Sequence, residues 1–334
     1  MEPDAAVVEG LVKDYPKVRA VDEVSFSVKE GEIFGLLGPN GAGKTTTIRI
    51  LLTLIKPTSG KARLFGVDVV ARPEKARQMS GYVSQDISVD GELTGHENVL
   101  MYAKLYGVPR RERKTRIRAL LRYLDLDGRA DDLASTYSGG MMRRLEIAQA
   151  LVNRPRMLFL DEPSIGLDPN AKRIIWDLLL KLRNEFGTTI LMTTHDMAEA
   201  DSLCDRIGIM NKGRLATIDE PSNLKRALGG NLLTIRSNAP GFPAMLKELG
   251  FSVVAEHGEG RYDIAVSDAD DKSLVPRLME SLWRRGVEVE AVFLKEPSLD
   301  DVFLKHTGGR MRDGDEEAWT QARRVRKTFR RLTQ

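Results

Sequence analysis

The segment Gly38-Pro-Asn-Gly-Ala-Gly-Lys44-Thr45 constrains this chain more than any other. It follows an apolar run, Ile33 to Leu37, and precedes Thr46 to Leu54, where apolar residues recur at helical spacing. A strand that turns tightly into a helix commits the chain to an α/β architecture. Gly38, Gly41 and Gly43 permit a turn whose backbone N–H groups converge on phosphate oxygens, and the following helix presents its positive dipole end. In such a P-loop Lys44 reaches the β- and γ-phosphates and Thr45 ligates Mg²⁺. The nucleotide cradle read here comprises Gly38, Pro39, Asn40, Gly41, Ala42, Gly43, Lys44, Thr45 and Thr46. A glycine-rich turn with an incidental lysine is the plain alternative; the strand-loop-helix placement argues against it.

From Val7 to about Asp219, short runs of Val, Ile and Leu alternate with longer helical stretches, the pattern of a largely buried sheet. Strands are expected at Ile33 to Leu37, Met157 to Leu160, Thr189 to Thr193 and Ile207 to Met210. The stretch from about Leu93 to Leu126 is charged and helical in period, which predicts a helical subdomain inserted into the α/β core. Gly229-Gly230 marks a seam. Beyond it the order is strand (Leu232 to Ile235), helix (Phe242 to Leu249), two strands around Gly258 to Gly260, helix (Leu274 to Arg284) and strand (Val287 to Phe293). That βαββαβ order predicts a small ferredoxin-like sandwich. The expected organisation is an α/β cassette over 1–228 with its helical subdomain at about 93–152, an accessory α/β domain over 229–308, and a basic tail over 309–334.

Composition excludes several classes. Lys plus Arg (51) nearly balances Asp plus Glu (48), and a net charge of +3 is too weak for a general nucleic-acid binder. Residues 310–334 carry eight basic and four acidic side chains, so their +4 exceeds the charge of the whole chain. There, Trp319, Ala322, Val325, Phe329 and Leu332 recur at steps of three or four, which fits either an amphipathic helix on anionic lipid or a solvated basic tail. The single cysteine, Cys204, forms no internal disulfide, and nothing near Met1 resembles a signal peptide, so a cytoplasmic setting is expected. No apolar run approaches the roughly 20 residues that span a bilayer, so membrane contact is expected to be peripheral. His96, His257 and His306 have no companions at metal-ligand spacing.

Two further motifs carry chemistry. Met157-Leu-Phe-Leu160 ends in Asp161 and Glu162; alternation along a strand would point these acids to opposite sides and give them different tasks. Asp161 is placed to hold the metal shell, and Glu162 to orient or deprotonate an attacking water. Ser138-Gly139-Gly140 opens a helix through Leu145, Ala148 and Leu151; a serine N-cap with glycine amides forms an anion site.

The order P-loop, SGG segment, LFLDEP and His195 resembles the ABC ATPases. That resemblance implies that Ser138, Gly139 and Gly140 form the signature motif, which binds the γ-phosphate of ATP held by the P-loop of a second subunit. It further implies that Tyr15 stacks on adenine and that Gln85 touches metal and attacking water. Pro163-Ser-Ile-Gly-Leu-Asp168 is similar to the D-loop, which couples the two sites, and His195 to the switch histidine that stabilises charge on the γ-phosphate. Here the signature reads Tyr137-Ser-Gly-Gly-Met141 where the family has LSGGQ, which leaves the serine hydroxyl and glycine amides in place. Leu93-Thr-Gly-His-Glu-Asn98, the YSGG variant and Pro297-Ser-Leu-Asp-Asp-Val-Phe-Leu-Lys-His-Thr307 resemble the daunorubicin-resistance type of drug-exporter ATPase. Its members pair with separate permeases of the ABC-2 class.

The expectation is thus a homodimeric ATPase, using ATP and Mg²⁺, on the cytoplasmic face of a membrane, with the surface between Gln85 and about Asn98 receiving its permease. The alternative is a soluble ABC ATPase of translation or DNA repair. Such proteins carry two cassettes or a long coiled coil, whereas this chain has one P-loop and a short insertion.

Overall fold

The computed structural model describes residues 4–228, 232–257, 260–265, 274–295 and 297–307. It divides into two units, Met1–Leu224 and Lys225–Gln334.

In the first unit, β1 (Asp4–Tyr15) and β2 (Val18–Lys29) form a long antiparallel ribbon through a two-residue turn at Pro16 and Lys17. After β3 (Ile33–Leu37) and α1 (Lys44–Leu51), β4 (Ser59–Leu64) and β5 (Val67–Asp68) complete this sheet in the order β2-β1-β4-β5. Alternate residues of the ribbon, among them Val8, Val24, Phe26 and Val28, enter one core with Phe34 and Leu36 of β3. Phe26 and Phe34 stack there at 5.3 Å between ring centroids, and truncating a phenylalanine so buried costs about 3–5 kcal/mol.

The second sheet follows from α2 (Pro73–Gln78), β6 (Ser80–Val83), α3 (Gly95–Leu105), α4 (Arg110–Tyr123), α5 (Gly139–Leu151), β7 (Met157–Asp161), α6 (Pro169–Phe186), β8 (Thr189–Thr194), α7 (Met197–Leu203), β9 (Arg206–Asn211), β10 (Arg214–Asp219) and α8 (Pro221–Arg226). Its order is β10-β9-β3-β8-β7-β6, parallel except for the antiparallel edge strand β10. Every residue of β3, β7 and β8 is buried. Helices cover both faces of such strands, which is why they read as largely apolar runs, broken only by threonines in β8 and the terminal Asp161 of β7, rather than as alternation. The strand ends that carry the P-loop, the acidic pair and His195 are therefore neighbours, since β3 pairs with β8 and β8 with β7. The segment expected to be a helical insertion holds α3 and α4; Thr94 and Glu97 begin α3 with a reciprocal capping box.

In the second unit, β11 (Leu232–Arg236), α9 (Phe242–Glu248), β12 (Val253–His257), β13 (Arg261–Ala265), α10 (Leu274–Arg284), β14 (Ala291–Lys295) and α11 (Leu299–Thr307) follow in turn. The strands pair antiparallel in the order β12-β13-β11-β14, the ferredoxin-like arrangement expected from the sequence. Its core includes Leu233, Ile235, Phe242, Leu246, Ile264, Leu278 and Leu282. The last strand begins at Ala291 rather than at Val287, which is buried in the turn after α10. The basic tail from Gly308, including the stripe from Trp319 to Leu332, lies outside the described residues.

Candidate active site

The P-loop leaves β3 and enters α1 through Gly43, whose φ of 103° is a left-handed value that glycine adopts without strain. This direct entry starts the helix at Lys44, two residues earlier than the apolar periodicity suggests. Side chains are also barred by space: a Cβ on Gly38 would lie 2.4 Å from the Met210 carbonyl oxygen, and one on Gly43 would lie 2.4 Å from that of Ala20. Lys44 is buried, and its Nζ donates to the carbonyls of Gly38 (2.7 Å) and Pro39 (3.3 Å). Its cation is thus folded over the loop that would carry phosphate.

Asp161 closes β7, and its Oδ1 accepts from Thr45 Oγ1 (3.0 Å) and Thr193 Oγ1 (2.5 Å). Strand alternation does not extend to Glu162. The backbone turns left-handed there, with φ 53°, and the strand ends one residue before it. Such a conformation costs a non-glycine residue about 1–3 kcal/mol. Hydrogen bonds from Glu162 N–H to the carbonyl and hydroxyl oxygens of Thr193, both 3.1 Å, offset that cost. The turn brings the carboxylate back over the P-loop, with Oε1 3.8 Å from Lys44 Nζ and Oε2 3.0 Å from His195 Nδ1. Burial alone would raise the Glu162 carboxyl, but contact with His195 and Lys44 outweighs it and holds the group below its ordinary value. The result is a buried carboxylate held ionised between Lys44 and His195.

Lys44, Thr45, Asp161, Glu162 and His195 therefore form one contact network, its two halves joined through Thr193. The remaining predicted residues occupy other positions. Tyr15 ends β1, 40% exposed, with Lys13 Nζ 5.2 Å from its ring centroid. Gln85 is exposed just after β6. Ser138 caps α5 by accepting from Met141 N–H at 3.3 Å, and the helix start presents the Gly139 and Gly140 amides. Asp168 caps α6 in the same way, accepting from Ala171 N–H at 2.9 Å. These two helix starts approach each other: a Cβ on Gly140 would lie 3.0 Å from that of Ala171.

The structure also accounts for the tyrosine of the variant signature. Tyr137 is buried, and its hydroxyl donates to the Arg129 carbonyl at 2.6 Å. A Cβ on Gly95 would lie 2.2 Å from that hydroxyl oxygen, so the ring fits only beneath a glycine. Thr193 was missed by sequence reasoning, although it sets both acids. Its signal is a hydroxyl near the end of a buried strand, two residues before His195.

Residues 21–165 match the family model described as ABC transporter, and residues 220–307 match the model described as ATP-binding protein DrrA1-3-like, C-terminal domain. The daunorubicin/doxorubicin resistance ATP-binding protein DrrA of Streptomyces peucetius is 40% identical over 92% of this chain and 94% of its own. The chain belongs to the ABC transporter ATP-binding proteins. It is accordingly an ATPase of the kind coupled to transport. The Nod factor export ATP-binding protein I of Ralstonia nicotianae is 37% identical over 92% of this chain and 94% of its own. Among solved structures, the dimeric post-hydrolysis state of the ATP-binding cassette MJ0796 with ADP and Pi superposes with a TM-score of 0.59 at 28% identity, over 64% of this chain and 98% of that one. Among the described residues, no helix is long and apolar enough to cross a membrane.

Proposed function

We propose that this chain is the ATP-hydrolysing subunit of an exporter for drug-like or lipid-like compounds, working as a head-to-tail homodimer beneath a separate ABC-2 type permease. The observation that carries this reading is the division of phosphate-binding groups between two places. Lys44, Thr45, Asp161, Glu162 and His195 are gathered around the P-loop, while the Ser138–Gly140 helix start is a second anion site on a separate helix. A second copy joined head to tail would bring its Ser138 and Gly140 to the phosphates above Lys44, excluding water and completing the electrostatic site.

On this reading the nucleotide lies along residues 38–46, with adenine on Tyr15. Lys44 exchanges the Gly38 and Pro39 carbonyls for phosphate oxygens. Glu162, held ionised, orients or deprotonates the attacking water, and His195 stabilises charge on the γ-phosphate. Asp168 and its neighbours relay between the two sites. The oxygens of Thr45 and Asp161, 3.0 Å apart, are hard donors that suit Mg²⁺, with Gln85 as a further contact. That ion would neutralise charge developing on the phosphates.

Export is supported by what relatives are named for, daunorubicin/doxorubicin resistance and Nod factor export. The permease contact is assigned to the Gln85-to-Asn98 surface, where Ile87 is exposed, together with Leu105 at 75% exposure on α3. Association with the membrane is peripheral, on its cytoplasmic face. Purification of the tagged chain from detergent-solubilised membranes tests this. Recovery of a protein with about six membrane helices that alters ATPase activity is the expected result. Recovery of ribosomes or repair proteins without a membrane partner would refute it.

A further inference from the structure

In the second unit, Leu233, Ile235, Tyr262 and Ile264 turn one face of the sheet into a core shared with α9 and α10. Alternation sends the residues between them, Thr234 and Asp263, to the opposite face. Such a face of an antiparallel sheet ordinarily meets water, yet Asp263 is 0% exposed. His257 stands two residues beyond Ala255, the cross-strand partner of Asp263, and so shares that face. Its Nε2 lies 2.7 Å from Asp263 Oδ2. α11 packs against β12 and brings in Asp301, which is 1% exposed. A potential ligand atom from each of His257, Asp263 and Asp301 lies within 4.8 Å of the other two.

Both carboxylates are held in place by neighbouring hydroxyls. Asp263 Oδ1 accepts from Thr234 Oγ1 at 2.5 Å. Asp301 Oδ2 accepts from the N–H (2.9 Å) and hydroxyl (2.7 Å) of Ser298, whose Oγ accepts in return from Asp301 N–H at 3.3 Å. The plain alternative is a histidine–aspartate pair beside a helix cap. Capping does not require burial, however: Glu97 plays the same reciprocal part at the start of α3 and is exposed. Burying two carboxylates in one place is costly, because each loses water and each opposes the charge of the other. An imidazole nitrogen with two carboxylate oxygens is a donor set that suits a divalent transition metal, Zn²⁺ above all. Around such an ion neighbouring ligand atoms lie roughly 3 Å apart, which small side-chain rotations reach from the separations seen here. His257 is only partly buried, leaving a path by which ion and water enter.

We propose that His257, Asp263 and Asp301 form a binding site for a divalent transition-metal ion, Zn²⁺ by its donor set, which fastens α11 to β12 and β13 with water completing the coordination shell. The site uses no residue of the P-loop network and is separate from the Mg²⁺ position proposed at Thr45 and Asp161. Sequence spacing gives no hint of it, because its ligands come from two strands and a helix that only the folded chain brings together.

The test compares the full chain with His257→Gln, which keeps a donor towards Asp263, and Asp301→Asn, which keeps an oxygen for the helix cap. Each is dialysed against micromolar Zn²⁺ in millimolar Mg²⁺, and retained zinc is measured by elemental analysis. The parent should hold about one Zn²⁺ per chain at this site. Both variants should lose it, with affinity down roughly 100-fold or more, while ATP affinity stays at the parent's. In the parent, Zn²⁺ should also shift the imidazole ¹⁵N resonances of His257 and slow amide exchange across Leu299–Thr307 roughly 10-fold or more. A parent that retains no zinc, or variants that retain as much as the parent, would overturn the site. Should a variant fail to fold, a His257 resonance unmoved at saturating Zn²⁺ in the parent overturns it equally. Zinc bound without any change in exchange across α11 would overturn the fastening.

Discussion

Thr193→Val isolates the group that sets both acids, because valine has nearly the same shape and lacks only the hydroxyl. In the parent that hydroxyl donates to Asp161 Oδ1 at 2.5 Å and accepts from Glu162 N–H at 3.1 Å. A hydrogen bond to a charged group is worth about 1.5–3 kcal/mol and a neutral one about 0.5–1.5 kcal/mol. Neither partner is orphaned by the change: Asp161 Oδ1 keeps Thr45, and Glu162 N–H keeps the Thr193 carbonyl. The lower part of the summed range therefore applies, about 2–3 kcal/mol. In a unit of this size that corresponds to a fall in Tm of roughly 4–12 °C. The same loss frees the left-handed turn at Glu162, so kcat should drop roughly 10-fold or more while ATP affinity, set by the P-loop, stays near the parent's. Differential scanning calorimetry, nucleotide titration and steady-state ATPase assays read the three quantities. A Thr193→Val protein with parental Tm and kcat would refute the claim that Thr193 holds the acidic pair in place.

Glu162 ionisation should be visible in the pH dependence of stability. Its folded-state pKa is lowered, so its contribution is complete above the ordinary glutamate range and is lost as pH falls through the lowered value. Glu162→Gln should therefore flatten the acid limb of a stability–pH curve from urea unfolding; an unchanged limb would contradict the assignment. Lys44→Ala should weaken ATP binding roughly 10-fold or more, and titration showing parental affinity would remove Lys44 from the phosphate site. Tyr137→Leu, which restores the commoner signature residue, should destabilise by about 2–4 kcal/mol because it opens a cavity and strips the Arg129 carbonyl of its donor. Urea unfolding with parental stability would show that Tyr137 does not anchor that loop.

The P-loop and the βαββαβ order were legible because each rests on local rules: glycines where a turn must admit phosphate, and apolar periods that change from strand to helix. The acidic pair was legible as two carboxylates at a strand end but not in its geometry. Alternation places Glu162 opposite Asp161, whereas hydrogen bonds to Thr193, 31 residues downstream, bend the chain left-handed instead. No local rule anticipates a bond across that separation. Arg143 and Glu146 carry no local signal of burial; only tertiary contact sets them against Ser84, Gln85 and Ser88. Tyr137 is similar: its aromatic ring makes sense only once Gly95, 42 positions upstream by number, is found above its hydroxyl. The late start of β14 has the same origin, since Val287 fills the core from a turn rather than from the strand.

The central claim is that each ATP site is shared between two copies, and the most direct test is the mass of Glu162→Gln in solution with and without ATP-Mg²⁺, measured by light scattering after size exclusion. Blocking hydrolysis while keeping the Lys44 side intact should trap the closed pair, so the account predicts a shift from 37.3 kDa to twice that mass on adding ATP. A variant that binds ATP yet remains at 37.3 kDa would contradict it.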